Sequence, residues 1–145
     1  MKKGSFQLIP LVVAFALALP MAASAATPTV VKVQLWDKGT SMGVELSRDS
    51  VPAGPVTFVV KNVSKGTVHE MLVMYLADPS KLLPYIQQEG KTTEDKSIDK
   101  GEVSELAPGK SGKLTVDLQP GKYVLICNVP GHFTAGMWST FTVTE

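Results

Sequence analysis

The 145-residue chain has one cysteine and two histidines, and these scarcities exclude more than its abundant residues do. With Cys127 alone, no intramolecular disulfide framework is possible. The thiol is then an intermolecular bridge, an inert buried side chain or a metal ligand. His69 and His132 are too few to serve several metal ions, and too few to leave a spare base for a hydrolytic triad if a metal takes both. Lysines are scattered, with no dense basic patch, so nucleic acid is not an expected partner. Beyond the first 26 residues, no apolar run is long enough to span a bilayer, so no stable membrane insertion is expected.

The N-terminus has a different composition. Lys2 and Lys3 precede an apolar run from Leu8 to Leu19 broken only by Pro10, and small residues follow, including Ala23-Ser24-Ala25. This is the layout of a secretory signal peptide. The expected organisation is a signal over residues 1–25, cleaved near Ala25/Ala26, and one domain over 26–145, exported to the periplasm as a monomer. The alternative is an uncleaved anchor. Signal removal leaves 12 basic and 13 acidic side chains, a net charge of −1 with neutral histidines. That balance names no partner. A remainder near 120 residues buries roughly two thirds of its unfolded surface, so a metal is not needed for folding.

From Thr29 onward, short β-like runs alternate with Pro and Gly turns. Candidates are 30–36, 43–46, 56–62, 67–76, 112–118, 122–127 and 138–144. Such spacing points to an all-β sandwich or barrel. Residues 77–101 break the rhythm. Asp78-Pro79 suits a helix start, and Leu82, Leu83 and Ile86 recur at helical spacing. Pro84 limits the length, and Gly90 suits termination. The expectation is a surface excursion with one short helix, otherwise a solvated loop.

Between the last two strands lies Cys127-Asn128-Val129-Pro130-Gly131-His132-Phe133-Thr134-Ala135-Gly136-Met137, a Cys-x4-His-x4-Met spacing. Pro130-Gly131 and Gly136 provide bends that return His132 and Met137 towards Cys127. A sandwich places His69, in an earlier apolar strand, opposite this loop. A thiolate, two imidazoles and a weak thioether suit blue copper. Zinc prefers a fourth strong donor, although it can occupy three, while calcium and magnesium need oxygen ligands. Singly, each of these residues reads as packing or as a loop residue. Together they account for every thiol and imidazole in the chain.

Gly121 to Val143, with its PGH and AGMW elements, resembles the copper loop of the cupredoxins, and the likeness extends to 56–63 and His69-Glu70-Met71. The x4/x4 spacing is similar to that of rusticyanin, the auracyanins and the sulfocyanins; azurin and plastocyanin each shorten one interval. The resemblance implies an antiparallel Greek-key β-sandwich, with His69, Cys127, His132 and Met137 as ligands of one mononuclear type 1 copper. It implies one-electron transfer through the His132 edge to transient redox partners, with Pro130 and Phe133 on the apolar rim. In azurin and plastocyanin the residue after the first histidine is asparagine; here it is Glu70. An ionised carboxylate donates no hydrogen bond, so any bond from this residue to the Cys127 sulfur must come from its backbone N–H. A site with no open strong position argues against an enzyme. The alternatives are periplasmic copper storage, delivery or resistance, and a sandwich domain that binds proteins without metal. Met71 and Met74, three apart in a strand, face opposite sides and form no exchange stripe.

Overall fold

The computed structural model describes residues 26–81 and 83–145; the expected signal segment lies outside the described residues. Eleven strands are formed among them. They are β1 (Thr29–Lys38), β2 (Ser41–Leu46), β3 (Ser50–Pro52), β4 (Gly54–Asn62), β5 (His69–Tyr75), β6 (Tyr85–Ile86), β7 (Lys91–Thr92), β8 (Asp99–Leu106), β9 (Ser111–Leu118), β10 (Gly121–Ile126) and β11 (Trp138–Thr144).

Two sheets pack face to face. One has the order β2-β1-β4-β9, the other β3-β11-β10-β5-β8, and β6-β7 is a separate hairpin. The sheets are mixed rather than wholly antiparallel, because β1 runs parallel to β4 and β11 parallel to β3. Alternation decides the inner face. Val31, Val33 and Leu35 on β1, with Val56, Phe58 and Val60 on β4, turn inward and are at most 1% exposed. They meet Tyr123, Leu125, Phe141 and Val143 of the other sheet in the main core.

The 77–101 excursion differs from its expected form. Among the described residues it contains no helix. The Ser80 N–H and hydroxyl donate to Asp78 Oδ1 (3.1 and 2.6 Å), and Lys81 N–H donates to the Asp78 carbonyl at 3.0 Å. That closes a single turn. Pro84 then prevents continuation, having no N–H and clashing with the carbonyl four residues before it. The chain enters the β6-β7 hairpin instead. Nor is the excursion merely solvated. Leu83 joins Leu72, Met74, Val124 and Ile126 in a second apolar cluster, with Ile98 and Phe133 against it. β5 is therefore covered on both sides, and six of its seven residues are buried.

Candidate metal centre

Neighbouring strands deliver the ligands to one end of the sandwich. β5 opens with His69; β10 ends at Ile126, one residue before Cys127; β11 starts one residue after Met137. Because β5 and β10 are antiparallel, with Ile126 opposite Leu72, the start of β5 lies beside the exit of β10. Residues 130–136 form consecutive turns. His132 N–H donates to the Val129 carbonyl (3.0 Å), Met137 N–H to the His132 carbonyl (3.0 Å), and Cys127 N–H to the Met137 carbonyl (3.0 Å). These bonds tie the backbones of the three loop candidates together.

The approach to His69 is fixed by a residue that the sequence did not single out. Asn62, fully buried, donates to the carbonyls of Thr67 (2.8 Å) and Leu106 (2.7 Å) and accepts from Ser64 N–H (2.9 Å). The Thr67 hydroxyl is hydrogen-bonded to Asp37.

Three donor atoms converge. His69 Nδ1 lies 3.3 Å from His132 Nδ1 and 4.0 Å from Cys127 Sγ, and Cys127 Sγ lies 3.3 Å from His132 Nδ1. The centre of this triangle is about 2.1 Å from each corner, matching the roughly 2.0–2.3 Å of metal bonds to imidazole nitrogen and thiolate. The residues present therefore fit a metal bound trigonally. Met137 is fully buried beneath the same loop.

The backbone N–H of Glu70 donates to Cys127 Sγ at 3.5 Å, the route expected for this position. The Glu70 carboxyl is itself buried, and its Oε1 has no partner. Burial raises its pKa, while the nearby Lys91 ammonium opposes the rise. His69 Nε2 is also buried without a partner. With Nδ1 as ligand, Nε2 carries the ring's proton.

Burial governs the protons of the metal-free site. It lowers His69, with His132 adding to the effect, and it lowers His132; the Asp37 charge opposes both shifts. The imidazoles are thus biased to the neutral form that binds metal. Burial pushes the Cys127 thiol up from 9.0 to about 11. Metal uptake must therefore displace its proton, so affinity rises with pH.

An alkaline stability limit follows. A thiol whose pKa is raised on folding retains its full contribution below pH 9.0, where both states are protonated. From there the unfolded chain ionises first, and stability is lost until pH reaches about 11. Tyr123, also raised by burial, acts in the same direction. The Cys127 part amounts to about 3 kcal/mol in all. Urea unfolding of the reduced, metal-free protein should show this fall, and Cys127→Ala should remove most of it. An unchanged alkaline limb in that variant would rule the thiol out as its cause.

Two stacked β-sheets with a Cys-x4-His-x4-Met loop and a converging His-Cys-His donor set define a cupredoxin, a blue-copper protein with one type 1 copper. Residues 16–145 match the family described as the Sulfocyanin (SoxE) domain, and the chain belongs to that family.

Solved structures share the fold. An auracyanin from Roseiflexus castenholzii is 22% identical with a TM-score of 0.60, covering 83% of this chain and 99% of its own. Rusticyanin from Thiobacillus ferrooxidans is 19% identical with a TM-score of 0.59, covering 81% of this chain and 79% of its own. An azurin from Methylomonas sp. strain J is 16% identical with a TM-score of 0.58, covering 82% of this chain and 100% of its own. A sequence search of curated proteins finds no match.

Proposed function

We propose that the protein carries single electrons between redox partners outside the cytoplasm, with His69, Cys127, His132 and Met137 holding the copper. The bound copper supplies the reversible one-electron couple. The observation that carries this reading is the uneven burial of the donors. His69, Cys127 and Met137 are fully buried, whereas His132 is half-buried at the surface. The closed donor set supports a carrier rather than an enzyme, because it leaves no strong position for a substrate. The half-buried imidazole is the natural exit for an electron.

Partners would dock transiently around His132, with the exposed Pro130 on the rim. Small contacts suit such encounters. Phe133 contributes more to packing than to the rim, since it stacks on Tyr85 at 6.3 Å and lies against the second apolar cluster. Export with cleavage near Ala25/Ala26 accords with the N-terminal sequence.

Copper delivery would use the same ligands but needs an exchange surface. Met71 and Met74 are fully buried, in the inner and outer clusters respectively, and offer none. Repeated reduction and reoxidation of copper-loaded protein with a Cu(I) chelator present separates the two roles. A carrier keeps its copper and its optical spectrum over many cycles. Stoichiometric surrender of Cu(I) on the first reduction would overturn the proposal in favour of delivery.

A further inference from the structure

We propose that Asn128 is a positioning residue. It clamps the copper loop to the β6-β7 hairpin and so holds His132 in its metal-binding geometry before metal arrives. The inference rests on the electron-carrier reading and extends it to what fixes the surface-facing ligand.

Asn128 follows Cys127 directly and is fully buried. Its Oδ1 accepts from both the N–H (2.8 Å) and the hydroxyl (3.0 Å) of Thr92, a residue only 2% exposed. Its Nδ2 donates to the Thr92 carbonyl (3.1 Å) and to Glu94 Oε1 (3.0 Å). Two lone pairs and two N–H groups are all that a side-chain amide possesses, and each is engaged. Two donors facing the oxygen and two acceptors facing the nitrogen also fix which way the amide points.

The clamp does not act alone. Gly131 N–H donates to the Gly90 carbonyl at 2.8 Å. The hairpin turn passes so near the loop that a Cβ on Gly90 would sit 3.2 Å from Gly131 N, and the positive φ of 67° at Gly90 independently favours glycine. Tyr85 stacks on Phe133. The hairpin thus grips the loop at 128, 131 and 133, on both sides of His132. Its own strands pair over only two residues each, too few for independent stability, so the hairpin and the loop order one another.

A loop held from outside changes little when copper changes oxidation state, which keeps electron exchange fast. Nothing else that the structure shows accounts for four hydrogen bonds from one buried amide to a segment without ligands.

The test compares wild type, Asn128→Ala, Asn128→Asp, Thr92→Val and Val51→Ala, a core change on β3, which pairs with the end of β11 remote from the loop. In metal-free protein, hydrogen exchange at the Gly131 amide is followed by NMR. In copper-loaded protein, the thiolate-to-copper band and the electron self-exchange rate are measured. Asn128→Ala should speed Gly131 exchange, shift the band and slow self-exchange by roughly tenfold or more. Asn128→Asp keeps both acceptor bonds to Thr92 but turns its second oxygen on the Thr92 carbonyl and the Glu94 carboxylate, so it should move the readouts at least as far as Asn128→Ala. Val51→Ala should lower thermal stability yet leave band and rate unchanged.

Should Asn128→Ala not fold, Thr92→Val still reads the clamp, since it deletes one bond to Oδ1 and should move all three readouts in the same direction. Band, rate and Gly131 exchange at wild-type values in a folded Asn128→Ala or in Thr92→Val would overturn the inference. So would equal changes in Val51→Ala. Absence of the band from wild type would instead overturn the copper reading itself, while Gly131 exchange would still report on the clamp.

Discussion

Cys127→Ala, loaded with Cu(II), is expected to lose the intense visible absorption entirely and to bind the metal far more weakly. The band requires charge transfer from a thiolate, and Cys127 is the chain's only thiol. No substitute can rotate in, because the sulfur sits fully buried at one corner of a triangle whose other corners are imidazole nitrogens. The variant retains two imidazole nitrogens and the Met137 side chain, which can still hold copper but supply no thiolate, so any Cu(II) it binds lacks the band. Its affinity loss should exceed the roughly 10–100-fold typical of removing a residue that only supports a ligand.

The same substitution should barely disturb the fold. It removes one sulfur atom and, in the metal-free protein, a thiol that burial holds protonated. Circular dichroism and the urea midpoint near neutral pH should therefore stay close to wild type while chelator competition reports the lost affinity. Cys127→Ser sharpens the result, since it keeps a small polar donor but no thiolate. Retention of the band in either variant would show that the copper lies elsewhere.

How much of this was legible in the sequence depended on whether a residue's role could be seen without its partner. β1 in its second half and β9 throughout declared themselves through alternation, because each has one face on the core and the other towards solvent, while β4 was marked by the Pro and Gly turn before it. β5 read as a strand but did not alternate, since its outer face is covered by the excursion that a local reading leaves in solvent. β8, Asp99–Leu106, was not identified at all. Only two isolated apolar positions, Val103 and Leu106, mark it, and a polar edge strand resembles a loop until β5 is beside it. The expected helix failed for a related reason: Asp78 caps a turn as readily as a helix, and Pro84 decided between them.

At the site, the ligands were legible because they are rare. One thiol and two imidazoles leave few combinations, and a Cys-x4-His-x4-Met interval between two strands selects among them. The residues that hold those ligands in place are common. Asn62 and Asn128 look like ordinary turn residues, and what distinguishes them is a set of partners 2 to 44 positions away. Burial of an amide with every hydrogen bond made is a property of the assembled fold, so no local pattern announces it.

Phe58→Ala should produce the largest loss of stability and, with it, a measure of how far copper and core act independently. Phe58 is fully buried on β4 and meets Phe141 of β11 edge-on, with ring centroids 5.4 Å apart, so it joins the two sheets through their centre. Truncation should cost about 3–5 kcal/mol, a large share of the roughly 5–15 kcal/mol that holds a domain of this size folded. The metal-free variant should therefore unfold at much lower urea with the slope of the transition unchanged.

Copper binds the folded site and stabilises it by about 2.7 kcal/mol when free metal exceeds the dissociation constant a hundredfold, less whatever the unfolded thiol captures. Phe58 lies four residues before Asn62, roughly 13 Å along the strand, and shares no bond with the ligands. The copper increment should then be the same in wild type and variant. A smaller increment in Phe58→Ala would mean that the central packing helps to shape the donor triangle. A loss below about 1 kcal/mol in the metal-free protein would show instead that the sheets are not joined through this ring.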